Sequence, residues 1–260
     1  MYGEGDLADT PPFEGGYCNF GYWESVPDVI SPESRAETSR ALYRQILNEL
    51  LPADRDRRGE RLVEIGVGRG HGARLALEEY GAASVAGVDA SPMQIERVRR
   101  FQHDLVERGR LDARVGTAEA MPLETAAFDA LYSVEVLQHF QSIAAFAREA
   151  ARVLAPHGRL ALTTFFLRHE AHFGAVAQRI PTIARQITRI TPIDALERQL
   201  RGVGFSRIHI ASIGAHVFPG FDRWLETLGD AAGERDGWGR NWLRCFDAGW
   251  IDYYTVFAAR

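Results

Sequence analysis

An apolar run, Leu62-Val63-Glu64-Ile65, breaks into Gly66-Val67-Gly68-Arg69-Gly70-His71-Gly72, and this junction limits the fold more than any other stretch of the chain. Glycines at that density permit a sharp strand-to-helix turn and let backbone N–H groups come close to a ligand. The alternation then repeats. A helix runs to about residue 80, a strand covers 84–88, and Ser91-Pro92 opens a long helix to about 108. Strands follow at 113–115 and 128–133, a helix at 142–154 and a fifth strand at 158–166. This rhythm predicts an α/β fold, a Rossmann-like and mostly parallel sheet with helices on both faces.

The flanks differ. Residues 1–30 hold Gly, Pro and aromatics without a period, a composition that suits an ordered arm. Ser31-Pro32-Glu33 starts a helix to about Leu51, with Ala41, Leu42, Ile46, Leu50 and Leu51 at helical spacing. After the fifth strand, 167–190 reads as inserted helices, and Pro192 starts a helix ending near 202–204. A sixth strand at 206–210 and a seventh at 252–258 enclose an aromatic-rich insertion of hairpin length. The expected division is an arm and helix over 1–52, a core over 53–166, a lid over 167–191, and the rest of the core over 192–260 with a second lid insertion at about 214–250.

All 30 basic residues are arginine, so no lysine is present to act as a base or form a Schiff base. The net charge of -5 argues against nucleic acid, which wants a basic face. Cys18 and Cys245 have no metal-ligand spacing and read as reduced thiols of a cytoplasmic protein. No apolar run has the length of a membrane span, and the acidic N-terminus is no signal peptide.

A Gly-x-Gly turn alone is weak, and Gly68-x-Gly70-x-x-Ala73 can even be aligned with a dinucleotide fingerprint. Two carboxylates separate the readings. Glu64, just before the glycines, suits a cationic ligand better than a pyrophosphate. Asp89, ending the second strand 21 residues after Gly68, is placed to accept hydrogen bonds from ribose hydroxyls. Together they favour an adenosyl ligand without phosphates. The alternative is a generic strand-turn-helix with Glu64 and Asp89 facing solvent.

The ordered set Glu64-x-Gly66-x-Gly68-x-Gly70, Asp89-x-Ser91, Phe128-Asp129 and Val153-Leu154-x-Pro156-x-Gly158 resembles the class I methyltransferases over residues 17–166. It is most similar to the ubiquinone-, sterol- and tocopherol-type branch and its natural-product relatives. The resemblance implies a seven-stranded sheet with its last strand antiparallel, S-adenosylmethionine as cofactor, and a small-molecule acceptor. By the same resemblance Glu64, Gly66, Gly68 and Gly70 face the methionine part, Asp89 the ribose, and Ala90, Ser91 and Met93 the adenine. Thr117 stands where the family usually has an aspartate, beside Ala118 and Glu119 as adenine neighbours, while Ser133 and Val134 offer backbone groups to the ammonium. Tyr17, in the arm motif Tyr17-Cys18-Asn19-Phe20-Gly21-Tyr22-Trp23, is a candidate cover for the cofactor.

His139 follows the fourth strand, where the loop faces the cleft in such folds, and is the candidate general base or a cofactor contact. Tyr22, Phe165, His169, Phe173, His216 and Phe218 are candidates for the acceptor pocket, and so many rings suit a largely apolar or aromatic acceptor. No histidine spacing makes a metal site. The expected reaction is O-methylation ahead of C- or N-methylation. Alternatives are a non-methylating cyclase of the same fold, an NAD-dependent oxidoreductase, which Glu64 disfavours, and a non-catalytic binding module. The lid aromatics leave a homodimer open.

Overall fold

The computed structural model describes residues 6–53, 59–229 and 237–260. Two short 3-10 stretches in the arm, Leu7–Asp9 and Pro11–Gly16, lead to α1, Pro32–Leu50. Its start follows from three residues: Pro32 in the first turn, the Ser34 N–H donating to Ser31 Oγ at 3.2 Å, and the Ser31 N–H donating to Ser34 Oγ at 2.9 Å.

The sheet is built from β1 (Arg61–Ile65), β2 (Ser84–Asp89), β3 (Leu111–Val115), β4 (Phe128–Val134), β5 (Leu154–Leu167), β6 (Arg207–Ser212) and β7 (Ile251–Ala259), in the order β3-β2-β1-β4-β5-β7-β6. The first five strands run parallel, and β7 is antiparallel to both neighbours. The central strands are buried on both faces, as a parallel sheet covered by helices requires. Helices α2 (His71–Glu78), α3 (Pro92–Phe101), α4 (His103–Glu107), α5 (Ile143–Val153), α6 (Phe173–Arg179), α7 (Pro181–Ala184), α8 (Ile193–Gly202), α9 (Phe218–Leu228) and α10 (Trp238–Asp247) complete the chain. Among the described residues no helix is long and apolar enough to cross a membrane.

Two expectations change. The long helix after β2 is divided into α3 and α4 at Gln102, whose side chain is drawn inward. Its amide donates to the Arg69 carbonyl at 2.9 Å and accepts from Arg74 Nε at 2.7 Å, so it props the underside of the glycine turn. The insertion between β6 and β7 is a helix pair rather than a hairpin; its residues 230–236 lie outside the described residues. Phe218, Phe221, Leu225 and then Trp238, Trp242, Cys245 recur at helical spacing, which buries one face of each helix.

That face meets the arm. Phe20 stacks on Phe221 with ring centroids 4.2 Å apart, and Phe165 lies 4.2 Å from Trp242. Arg35 is fully buried below them and donates to the carbonyls of Pro12 (3.4 Å) and Asn19 and to Ser39 Oγ (2.6 Å). Burial pushes its guanidinium down to about 10, against the pull of Glu135, so it stays cationic at neutral pH.

Candidate active site

A cavity of about 650 Å³ opens where β1, β2 and β4 end, at Ile65, Asp89 and Val134. This is the usual ligand crevice of an open α/β sheet, outside the carboxyl ends of its strands. Gly66 turns with φ of +74°, and a Cβ there would stand 2.3 Å from Val136 Cγ2, so no other residue fits. The turn is closed by the Gly70 N–H on the Val67 carbonyl at 2.8 Å and is fastened to β2. Gly66 N–H donates to the Val88 carbonyl at 2.7 Å, and Gly68 N–H donates to Asp89 Oδ2 at 3.1 Å. Asp89 Oδ1 takes the Ser91 N–H at 2.9 Å, and its carbonyl takes the Gly116 N–H at 2.9 Å. One residue therefore registers three loops of the cavity floor. Burial pushes the Asp89 carboxyl up, and the two N–H groups oppose that rise.

Among the residues singled out from sequence, Tyr17, Gly66, Gly68, Asp89, Ala90, Ser91, Thr117, Ala118, Glu119, Val134 and His139 all line this cavity. Tyr17 lies between Tyr43 and His71, with ring centroids 5.7 and 5.1 Å away. Glu119 accepts the N–H groups of Gln141 and Ser142, which fixes the loop after β4.

Four do not line it. Glu64 is buried behind the turn, where it accepts from the Tyr132 hydroxyl at 3.1 Å and is bonded by Tyr43 and the Ala73 N–H. Strand alternation sends its side chain to the face covered by α1, and burial raises its carboxyl to about 8. Gly70 instead makes room for Gln102, whose Cγ would lie 2.7 Å from a Cβ. Ser133 donates to the Ile65 carbonyl at 3.0 Å, and Met93 points outward on α3.

None of the six candidates for the acceptor pocket lines the cavity. Phe165 and Phe218 belong to the aromatic core. Tyr22 and His216 pack on each other, ring centroids 5.0 Å apart, and the Trp23 N–H donates to the His216 carbonyl at 2.7 Å. His169 accepts the Ala171 N–H at 3.1 Å near the surface, and Phe173 is exposed on α6, which packs toward α10. Phe165 on β5 and Phe218 on α9 thus pack the core, whereas His169 and Phe173 lie at the surface.

The residues that sequence reasoning missed come from helices α1, α2 and α3 and from short turns. Tyr43, Arg69, His71, Gln94, Gln138, Gln186, Ile187 and Arg189 complete the wall, together with Glu135, which the sequence offers as a loop or cofactor-shell residue rather than a second base. Glu135 has left-handed backbone, φ +52°, immediately after β4. Its Oε1 accepts the Phe20 N–H at 2.6 Å and the Tyr253 hydroxyl at 2.7 Å, and burial raises its carboxyl to about 7. Gln94, three residues after Ser91, lines the cavity, and its Oε1 is buried with no hydrogen-bond partner among the described residues. Burial, helped by Arg69, Arg74 and Arg40, pushes the His71 imidazole down to about 4, so it is neutral. His139 is also shifted down, chiefly by burial, against a backbone hydrogen bond to Ile187 that favours the charged ring.

Comparison with known proteins adds to this picture. The methyltransferase domain family matches residues 63–162. The 27-O-demethylrifamycin SV methyltransferase of Amycolatopsis mediterranei is 28% identical, over 86% of this chain and 78% of that protein. The erythromycin 3''-O-methyltransferase of Saccharopolyspora erythraea is 28% identical, over 84% and 71%. An O-methyltransferase of Pyrenophora dematioidea is 28% identical, over 78% and 73%. Among solved structures, geranyl diphosphate methyltransferase in complex with geranyl diphosphate and sinefungin superposes with a TM-score of 0.81 over 94% of this chain and 90% of that one, at 16% identity. The [4+2]-cyclase SpnF gives 0.69 over 93% and 86%, at 23% identity, so the sheet is shared more widely than the reaction. A chain that carries this domain, runs alongside these methylating enzymes for most of its length and builds their sheet is an S-adenosylmethionine-dependent methyltransferase.

Proposed function

We propose that this methyltransferase acts on an oxygen of its acceptor, with His139 taking the hydroxyl proton. The observation that carries the reading is the position of His139: half-buried in the cavity wall, held by the Ile187 backbone, and depressed so that it is the free base at neutral pH. The names of the O-methylating relatives support the choice of oxygen over carbon or nitrogen.

S-adenosylmethionine, when bound, supplies an electrophilic methyl group on a sulfonium. The residues present suit it. Asp89 offers carboxylate oxygens for the ribose hydroxyls, Glu135 and Tyr17 give a carboxylate and a ring face to a cation, and Gln94 Oε1 is an acceptor in want of a donor. Thr117, Ala118 and Glu119 flank the adenine end, and Val134 the methionine end. The protein's contribution is then orientation, exclusion of water and removal of one proton. Orientation can supply on the order of 7–11 kcal/mol, and a placed base about 10²–10⁴-fold. Of the expected division into an arm (1–52), a core (53–166 with 192–260) and a lid (167–191), the described residues Gly16, Tyr17 and Cys18 of the arm and Gln186, Ile187 and Arg189 of the lid line the cavity, which supports reading both as its cover. The second insertion, about 214–250, supports the arm.

The test is calorimetric titration with S-adenosylmethionine, with NAD as control, followed by an acceptor screen read by S-adenosylhomocysteine and mass gain. Micromolar binding of S-adenosylmethionine and a product heavier by one methyl on oxygen are expected. Binding of NAD alone, methylation at carbon or nitrogen, or conversion of an acceptor without S-adenosylhomocysteine would each overturn the reading.

A further inference from the structure

Away from the glycine turn the cavity is bounded by Gln138, His139, Gln141, Gln186, Ile187 and Arg189. This rim is polar, and its two halves are tied together. The Arg189 N–H donates to the Gln138 carbonyl at 2.8 Å, the Arg189 guanidinium donates to the Gln141 carbonyl at 3.1 Å, and the Ile187 backbone holds the His139 ring. Gln186, between them, has left-handed backbone at φ +56°, a strained state for a residue with a side chain and one found in binding turns.

The charge of this lid is unlike that of the whole. Residues 168–189 carry four arginines against one glutamate, in a chain of net charge -5. Two of those arginines are occupied elsewhere. Arg168 pairs with Asp252 at 2.7 Å, and the Arg179 guanidinium lies 5.2 Å from the Trp250 ring centroid. Arg185 lies outside the cavity wall. Arg189 lines the cavity, and none of the described carboxylates forms an ion pair with it; its single side-chain hydrogen bond leaves most of the donor fork unused. An exposed guanidinium at the rim of the cavity, held against the loop that carries the candidate base and without a counter-charge among the described residues, is matched by a planar or tetrahedral oxyanion.

We propose that Arg189 is a specificity-determining residue that binds an acidic group of the methyl acceptor, so that the acceptor is an anion with its carboxylate or phosphate close to His139. The inference rests on the reading that this cavity takes a methyl acceptor. It replaces the expectation of a largely apolar acceptor, since none of the rings that suggested it lines the cavity.

The experiment uses the full chain saturated with S-adenosylhomocysteine and three probes: 4-hydroxybenzoate, 4-hydroxyphenyl phosphate and methyl 4-hydroxybenzoate. Calorimetry compares wild type with Arg189→Gln and Arg189→Lys. At least one anion should bind wild type about 10- to 100-fold more tightly than the neutral ester, the span expected for one charged hydrogen-bonded pair. Arg189→Gln should abolish that preference, and Arg189→Lys should retain part of it. The order of the two anions identifies carboxylate or phosphate. Equal binding of ester and anions, no binding of either anion, or a preference that survives in Arg189→Gln overturns the proposal and leaves Arg189 as a staple between lid and loop. Failure of S-adenosylhomocysteine itself to bind would overturn the underlying reading instead.

Discussion

Glu135 and Tyr253 meet at 2.7 Å, carboxylate to hydroxyl, beneath the N-terminal arm, and the same carboxylate oxygen holds the Phe20 N–H at 2.6 Å. A single buried acid thus joins the end of β4 to β7 and to the arm. Because burial raises its carboxyl from 4.5 to about 7, the folded state binds its proton more tightly than the unfolded chain. Its contribution to stability is present in full at low pH and is lost as pH rises through about 7. Glu64, raised to about 8, acts in the same direction, whereas His71, depressed to about 4, acts only below 6.5. In the window from 6.5 to about 8, thermal unfolding should therefore show a falling midpoint for the wild type. Glu135→Gln should flatten that fall by a few degrees, at about 2–4 °C per kcal/mol. An unchanged slope in the variant would contradict the assignment.

Asp89 accepts two backbone N–H groups and faces the cavity. Asp89→Ala should weaken S-adenosylmethionine binding by about 10- to 100-fold, the loss expected for one or two charge-assisted hydrogen bonds. Asp89→Asn, which keeps an acceptor for the Gly68 or Ser91 N–H, should fall between. Calorimetric dissociation constants for the three proteins decide the point.

At Gly66 the constraint is both conformational and steric. Gly66→Ala adds about 1–2 kcal/mol for a left-handed residue, besides the clash with Val136. The double change with Val136→Ala removes the two closest contacts, at 2.3 and 2.7 Å, and leaves the Val136 Cβ at 3.0 Å and the backbone term, so it should recover part of the lost stability. Chemical denaturation of the single and double variants measures both terms. No recovery would show that Val136 yields at no cost.

His139→Ala should lower kcat by about 10²–10⁴-fold and leave S-adenosylmethionine affinity nearly unchanged. Since burial shifts this histidine below its ordinary 6.5, the acid limb of the wild-type rate profile should lie below that value and vanish in the variant. A variant that loses cofactor affinity in proportion to rate would make His139 a cofactor contact.

Removing a ring from the arm should cost stability before it touches chemistry. Phe20→Ala vacates the stack on Phe221 and should destabilise by about 3–5 kcal/mol. Unfolding by denaturant provides the value, and a loss below about 1 kcal/mol would mean that the arm is only loosely packed.

The sheet was open to reading because its strands are short apolar runs closed by glycine or acid, the pattern that burial on both faces enforces. Asp89 could be placed from spacing alone, since a residue that ends β2 must arrive beside the turn that ends β1. Glu64 could not, because the side to which a strand residue points depends on which face each helix covers, and its partners Tyr43 and Tyr132 are distant in sequence. The break at Gln102 is likewise a tertiary effect: a carbonyl at Arg69 recruits an amide from a stretch that is otherwise helical by pattern. The turn from Gln186 to Arg189 has no motif at all; only the folded lid brings it to His139.

The separation of aromatic core from polar rim has an evolutionary consequence. The rings of Phe20, Phe165, Phe218 and Trp242 secure the scaffold from one side of the sheet, whereas Gln186, Ile187 and Arg189 line the cavity from a four-residue turn that adds no side chain to that aromatic core and is tied only to the loop after β4 and to its own lid. Exchanging that turn among related chains should retarget the enzyme at little risk to folding, so divergence in acceptor can accumulate there while the scaffold drifts at its own pace.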